Sequence, residues 1–354
     1  MTYFHKKSKL LISLLLILTI TVQMISCTHA TDSTGSEAGK NDKENDRVGD
    51  SENVACEHSY VDDAENSIKA KALSEGKNAY KCEKCGDSYA DTVPATKSLK
   101  VLAIGNSFSE DAMAHLYGIC KSAGIEEIVL GNLFIGGCSL DAHRSNIQNG
   151  SAVYDFQLNI DGTWKHNYEY TVEQGIKYTD WDFITIQQVS GLSGLGSTYG
   201  SMHTILEYLE ANKPKDTTEF YFHMTWAYQQ DSKHSDFSKY GKSQIQMYQK
   251  IVEATKNKVL EDSLIDGVIP SGTAIQNLRT SSLGDTLTRD GYHLSLDVGR
   301  YTAAMSWFVT LTGGSCDDVD YVGPSDMYYI EICEKIVKKA VENSNEKPYE
   351  VTEF

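Results

Sequence analysis

From residue 99 to about 345 the chain alternates short, unbroken apolar runs with longer stretches in which apolar residues return every three or four positions. Runs of the first kind lie at 100–105, 125–130, 183–187, 220–224 and 264–269. Each has the length of a strand, and without polar alternation it must be buried on both faces. Stretches of the second kind, at 112–123, 201–212, 240–260, 297–312 and 326–342, predict helices. Strand–helix alternation of this sort predicts a five-stranded parallel sheet between two helical layers, a three-layer α/β/α sandwich. Residues 150–180 are aromatic and polar and break the pattern. They read as an insertion, folded as a hairpin near the site.

The first hundred residues follow other rules. Lys6, Lys7 and Lys9 precede an apolar run at 10–22 and then Met24-Ile25-Ser26-Cys27, so residues 1–26 read as a secretory signal. The run falls short of the roughly 20 residues that a membrane-spanning helix needs. Ser26-Cys27 resembles a bacterial lipobox. That resemblance implies cleavage before Cys27, diacylation of its thiol, and a lipid anchor on the extracellular face of the cell membrane. If Cys27 is not lipidated, the protein is secreted. Residues 27–53 carry almost no apolar side chain and predict a disordered tether, with an end-to-end distance of roughly 25–30 Å.

Residues 54–97 hold Cys56-Glu57-His58 and Cys82-Glu83-Lys84-Cys85-Gly86. A Cys-x-x-Cys-Gly knuckle aims two thiolates at one metal. With a second pair of soft ligands upstream it predicts a small zinc-ribbon-like module using Cys56, His58, Cys82 and Cys85. The alternatives are a disulfide, which an exported protein permits, or unligated thiols. The stretch, with its Val-Pro-Ala-Thr run at 93–96, resembles small Cys/His modules of Gram-positive surface proteins. Residues 98–345 then form the main domain and 346–354 a C-terminal tail.

The formal charge is −17, and loss of the leader lysines makes it three units more negative. Such a chain repels phosphate backbones and anionic lipid headgroups. Nucleic acid is excluded as a partner; a neutral or cationic small molecule, or a carbohydrate, remains.

The candidate chemistry lies at strand ends. The run Val101-Leu102-Ala103-Ile104-Gly105 leads into Asn106-Ser107-Phe108-Ser109 and a helix start. In a parallel sheet, that places Ser107 at the carboxyl edge, where ligands bind and a helix N-terminus favours negative charge. A helix cap is the plainer reading of a lone serine there. After the fifth strand comes Arg289-Asp290-Gly291-Tyr292-His293. Asp290, three residues before His293, can orient the imidazole so that its other nitrogen takes a proton from a serine. Trp226 and Tyr228, after the fourth strand, offer flat amphipathic rings suited to sugar or to packing at the rim. His143, His203, His223 and His234 have no legible partner. Cys120, Cys138, Cys316 and Cys333 show no metal spacing.

These blocks, in this order, resemble the SGNH/GDSL hydrolases over most of residues 99–315, and most closely a bacterial branch reading Gly-Asn-Ser-Phe-Ser. The resemblance implies a flavodoxin-like fold and esterase chemistry that needs no cofactor, with Ser107 as nucleophile, His293 as base and Asp290 as its orienter. It assigns the backbone N–H of Gly137, in the block 132–139, to the oxyanion. Two departures stand out. Asn106 occupies the family's Asp position, and Gln187-Gln188 replaces the third block, in which an Asn side chain would donate to the oxyanion. Gln188 is assigned that donation, with Gln187 in reserve, because adjacent strand residues face opposite ways. The implied function is a serine esterase that removes O-acetyl or other short acyl groups from carbohydrate at the cell surface. A catalytically silent glycan-binding lipoprotein and a lipase or thioesterase on the same fold are the alternatives.

Overall fold

The computed structural model describes residues 56–321 and 327–353; the leader, the tether and Cys27 lie outside them. The first three strands, β1 (Tyr60–Asp62), β2 (Gly76–Cys82) and β3 (Ser88–Val93), form a small antiparallel sheet in the order β1-β2-β3. The main domain then runs β4 (Ser98–Gly105), α1 (Ser107–Met113), α2 (Leu116–Ser122), β5 (Glu127–Phe134), α3 (Leu140–Gln148), β6 (Tyr154–Asn159), β7 (Trp164–Tyr170), α4 (Val172–Ile176) and β8 (Phe183–Ile186). It continues through α5 (Met202–Asn212), β9 (Glu219–His223), α6 (Gln244–Ala254), β10 (Gly267–Ile269), α7 (Ser271–Arg279), α8 (Val298–Thr312) and α9 (Met327–Glu346).

The large sheet has the order β10-β9-β8-β4-β5-β6-β7. Its first five strands are parallel, in the predicted α/β arrangement, and β6 and β7 extend it as an antiparallel hairpin. The predicted insertion is therefore a hairpin, but it lengthens the sheet edge instead of standing apart from it. Val101 to Gly105 of β4 are all buried, as a strand covered on both faces requires. Helices α1, α2, α7, α8 and α9 pack on one another as one layer, and α3, α4 and α5 as the other. Trp181, fully buried, satisfies its one donor by bonding Gly175 O at 2.9 Å.

The parallel strands follow a 2-1-3-4-5 order, so strand order reverses between β4 and β8. That switch point opens a crevice beyond the strand carboxyl ends, and Ser107 and the segment after β8 both lie there. The region read as one helix at 112–123 is two, broken between Met113 and Leu116. α6 ends at Ala254 and passes into a single π-helical turn at Thr255–Val259.

The small sheet belongs to the same compact unit as the main domain. Leu73 N donates to Thr312 O at the end of α8 (2.9 Å), and Lys69 pairs with Glu219 at the start of β9 (2.5 Å). The tail docks along α7: Thr352 N donates to Asn277 Oδ1 (2.8 Å), and Thr273 Oγ1 to Pro348 O (2.5 Å). Among the described residues no helix is long and apolar enough to cross a membrane.

Candidate active site

Ser107 is the first residue of α1, and Asn106 is its cap. The Asn106 Oδ1 accepts the Phe108 N–H at 3.0 Å, as a cap should. Its Nδ2 donates to Cys138 O at 3.1 Å, and Oδ1 also accepts Gln187 Nε2 at 2.8 Å. A side chain that accepts at one end and donates at the other must be an amide, so a carboxylate at this position would lose the bond to Cys138 O. Gln187 Oε1 in turn accepts the His223 Nδ1–H at 2.8 Å. Burial pushes the His223 ring down to about 3, so it stays neutral.

The loop after α7 brings His293 to Ser107. His293 Nε2 lies 2.9 Å from Ser107 Oγ, and His293 Nδ1 lies 2.6 Å from Asp290 Oδ2. The other oxygen of Asp290 accepts the N–H groups of His293 (2.8 Å) and Tyr292 (3.2 Å). Partial burial opposes the charge on Asp290, but the His293 ring and these two N–H groups outweigh it and hold the carboxyl below its usual range. The turn between Asp290 and His293 passes through Gly291 at φ +92°, close against the backbone of Ser232, where a side chain would be both strained and crowded. The three residues, 183 or more positions apart at the extremes, thus form one hydrogen-bonded chain from carboxylate to imidazole to hydroxyl.

A buried carboxylate sets that distance. Asp111, on the nucleophile's own helix, is fully buried. Arg289 Nη1 reaches both its oxygens at 3.0 Å, Arg300 bonds Oδ1 through Nε (2.8 Å) and Nη2 (2.6 Å), and Leu294 N donates to Oδ2 at 2.8 Å. Arg289 and Leu294 bracket Asp290 and His293. One carboxylate on α1 therefore fastens both ends of the loop that carries the base.

A cleft of about 470 Å³ opens in front of Ser107. Asn106, Gly136 and Gly137 form one wall, Val189, Ser190 and Gly191 a second, and His234, Asp236, Tyr292 and His293 the remainder. Gly137 thus lies beside Ser107, where it was expected. Gln188 does not. Its Oε1 accepts Leu140 N (3.1 Å) and Val189 N (2.8 Å), and its Nε2 donates to Thr198 O (2.9 Å) and Oγ1 (3.1 Å). With donors and acceptor committed, this amide braces α3 and the loop after β8 and has no hydrogen left for an oxyanion. Gln187 is bonded to Asn106 and His223 and does not line the cleft. Strand alternation failed as a guide because β8 ends at Ile186, before either glutamine.

Trp226 and Tyr228 also differ from expectation. Both are fully buried, and neither lines the cleft. Trp226 stacks on Phe108 with centroids 4.3 Å apart and donates Nε1–H to Tyr292 O at 2.8 Å, so it supports the base loop from beneath. Tyr228 bonds Ser190 Oγ at 2.9 Å. His234, Asp236 and Tyr292 are the cleft residues that the sequence did not reveal. They sit far from any strand end in the linear pattern, and the signal that marks His234 is only its place two residues before an acidic helix start. His143 is buried against the Tyr154 hydroxyl (2.9 Å), and His203 is exposed beside Asp262 (3.0 Å). Cys120, Cys138 and Cys316 are buried free thiols.

The small sheet gathers a second cluster. The ligand atoms of Cys56, His58, Cys82 and Cys85 all lie within 4.8 Å of one another. Cys56 Sγ is 4.0 Å from Cys82 Sγ, and Cys85 Sγ is 3.3 Å from His58 Nδ1. Tetrahedral zinc, with bonds of about 2.3 Å to sulfur and about 2.0 Å to nitrogen, requires ligand separations of roughly 3.4–3.8 Å. A disulfide requires about 2.0 Å. The donor set is compatible with zinc, and no disulfide joins these thiols in the structure. Ser59 N donates to Cys82 Sγ at 3.4 Å, the kind of bond that steadies a thiolate.

A family model described as "Domain of unknown function (DUF4886)" matches residues 100–325. Among solved structures, a DUF4886 family protein from Bacteroides uniformis superposes with a TM-score of 0.68, at 39% identity over 73% of this chain and 98% of its own. A candidate SGNH hydrolase from Slackia heliotrinireducens aligns at 19% identity over 61% and 100%, with a TM-score of 0.42. Axe2, an acetyl-xylooligosaccharide esterase from Geobacillus stearothermophilus, aligns at 11% over 63% and 97%, with a TM-score of 0.41. The last two superpositions are loose, and their activities are properties of those proteins. No curated protein matches the chain.

The Asp111 clamp leads to a structural expectation. Asp111→Asn leaves two guanidinium groups without their buried charge, and removal of one partner from such a set destabilises by about 3–5 kcal/mol. The urea midpoint should fall accordingly, and the Leu294 amide should exchange with deuterium faster than amides of β4. Unchanged exchange at Leu294 would show that the loop is held by other contacts.

Proposed function

The chain belongs to the DUF4886 family, and from that premise and the geometry of the cleft we propose that its main domain is a serine ester hydrolase of the SGNH type. The observation that carries the reading is the chain Asp290–His293–Ser107, with bonds of 2.6 and 2.9 Å, opening on a polar cleft. In this reading Ser107 Oγ attacks an ester carbonyl while His293 Nε2 takes its proton. The imidazolium so formed is stabilised by Asp290 and returns the proton to the leaving alcohol. Water, activated by the same nitrogen, then releases the acid and restores Ser107. The N–H groups of Ser107 and Gly137 stabilise the oxyanion, aided by the N-terminus of α1. No cofactor takes part.

The cleft wall favours a short acyl group. Val189 and the Tyr292 ring are the larger apolar groups on a wall otherwise made of glycines and polar side chains. The acidic balance of the protein and the polar wall support an O-acylated carbohydrate as substrate. Lipidation of Cys27 would hold the enzyme at the extracellular face of the membrane, and zinc on Cys56, His58, Cys82 and Cys85 would lock the small sheet without touching the chemistry.

Four outcomes follow. A fluorophosphonate probe should label Ser107, and Ser107→Ala or His293→Ala should each lower kcat on 4-nitrophenyl acetate by on the order of 10⁴, with little further loss when combined. Because its bonds hold Asp290 ionised below the usual carboxylate range, protonation of that carboxyl should not appear in the rate profile at or above that range; such a step, or turnover without Ser107, would refute the assignment. Elemental analysis should find about one zinc per chain, and chelation should unfold the small sheet while ester hydrolysis persists; no metal in protein purified under reducing conditions would remove the zinc reading. Cys27→Ala should shift the protein from the membrane fraction to the medium, and unchanged fractionation would remove the anchor.

A further inference from the structure

The wall facing Ser107 across the cleft is built by a loop that the esterase chemistry does not use. After β9 the chain runs through Gln229–Lys242 over the cleft mouth, and a 3-10 helix at Ser235–Tyr240 begins there. His234 caps that helix: its Nδ1 accepts the Asp236 N–H at 3.2 Å. With Nδ1 occupied as an acceptor, the ring carries its proton on Nε2 and offers an N–H donor. His234 packs edge-on to Tyr292, with centroids 4.7 Å apart, and Tyr292 lies against His293 at 4.1 Å. The donor is thereby tied to the base through two ring contacts.

Asp236 supplies the matching acceptor. Its Oδ2 lies so close to Gly191 that a Cβ there would come within 2.0 Å of it. Only glycine at 191 lets this carboxylate reach the cleft. The other oxygen, Oδ1, is paired with Lys239 at 2.8 Å. The carboxylate is therefore an acceptor whose charge is already balanced, which suits a neutral hydroxyl better than a cation. Ser190, held by Tyr228, adds a third polar group to the same wall.

The space does not end at His234. A second polar hollow of about 380 Å³ lies on its far side, and His234 lines both. Asp231, Lys233 and Lys242 edge that hollow with charges of both signs. A hollow of mixed sign attached to a neutral donor–acceptor pair does not select an ion.

Resting on the esterase reading, we propose that His234 and Asp236 form the subsite for the alcohol portion of the substrate, and that this portion is a neutral polyhydroxylated chain of more than one sugar ring. Adjacent hydroxyls on one ring meet the Nε2–H of His234 and the carboxylate of Asp236, Tyr292 covers the ring face, and the next ring enters the second hollow.

The test compares kcat/KM on partly O-acetylated gluco-oligosaccharides of one and four rings, on acetylcholine and on 4-nitrophenyl acetate. The wild-type protein should prefer four rings to one and should disfavour acetylcholine. His234→Asn keeps a side-chain oxygen for the helix cap but removes the ring N–H. It should lower the ratio of the four-ring ester to 4-nitrophenyl acetate about tenfold or more, chiefly through KM, as loss of one substrate hydrogen bond does. Asp236→Asn should lower the same ratio, and Gly191→Ala, which displaces Asp236, should move it in the same direction. Calorimetric binding of the unacetylated four-ring sugar should be seen in the wild-type protein and weaken about tenfold in His234→Asn. Equal loss on all esters in every variant, or a preference for acetylcholine that Asp236→Asn abolishes, would overturn the proposal. Sugar binding that weakens as expected in a protein that hydrolyses no ester would support the subsite and sink the esterase reading alone.

Discussion

The Asp111 carboxylate is the constraint on which the site depends. Ser107 on α1 and His293 on the loop before α8 lie 186 positions apart and must be brought within hydrogen-bond distance. Asp111 does so because a buried carboxylate must find enough donors to replace its lost hydration. Here it finds five bonds, from two arginines and one backbone N–H, and every donor lies on or just after the base loop. Relaxing the distance between Ser107 and His293 would require unburying that charge. The penalty for doing so makes the geometry stiff.

The same logic runs through the polar groups beneath the cleft. Asn106, Gln187 and His223 form a relay in which each amide accepts at one end and donates at the other. Gln188 makes four bonds that tie α3 to the loop after β8. These groups are buried, so each unpaired atom would carry a desolvation penalty of about 1–3 kcal/mol. The amides therefore specify the loop arrangement more than they stabilise it. Asn106, where the SGNH/GDSL hydrolases that the sequence resembles carry Asp, is explained at this level, because the relay needs a side chain that both donates and accepts.

The small sheet follows another strategy. Three short strands bury little apolar surface. Tyr60 and Tyr89 are exposed, and the two rings lie against each other and against His58 and Tyr80 on its face. Such a unit needs a staple. The clustered thiols and imidazole provide the ligands for one, and the segment between β1 and β2 anchors the unit to α8 and β9 through Leu73 and Lys69.

The linear pattern was enough to read the alternating α/β architecture, the position of Ser107 after the first large-sheet strand, the Asp290–His293 pair, and the Cys/His spacing. Each of these is a local property: apolar runs must be buried, a strand followed by a helix places its junction at the sheet edge, and a three-residue offset fits within one turn. The helices at 140–148 and 271–279 were missed because few of their residues are apolar. What only tertiary structure decided is which polar side chains spend their hydrogen bonds inside the protein. Gln188, Trp226 and Tyr228 were placed at the site because their chemistry suits it, yet all three are consumed by buried partners. His234 and Asp236, which carry little signal in the chain, line the cleft, and Asp236 reaches it because Gly191 has no side chain in the way. A hydrogen bond can be assigned only when donor and acceptor are both located, and residues 40 or more positions apart acquire a common location only through the fold.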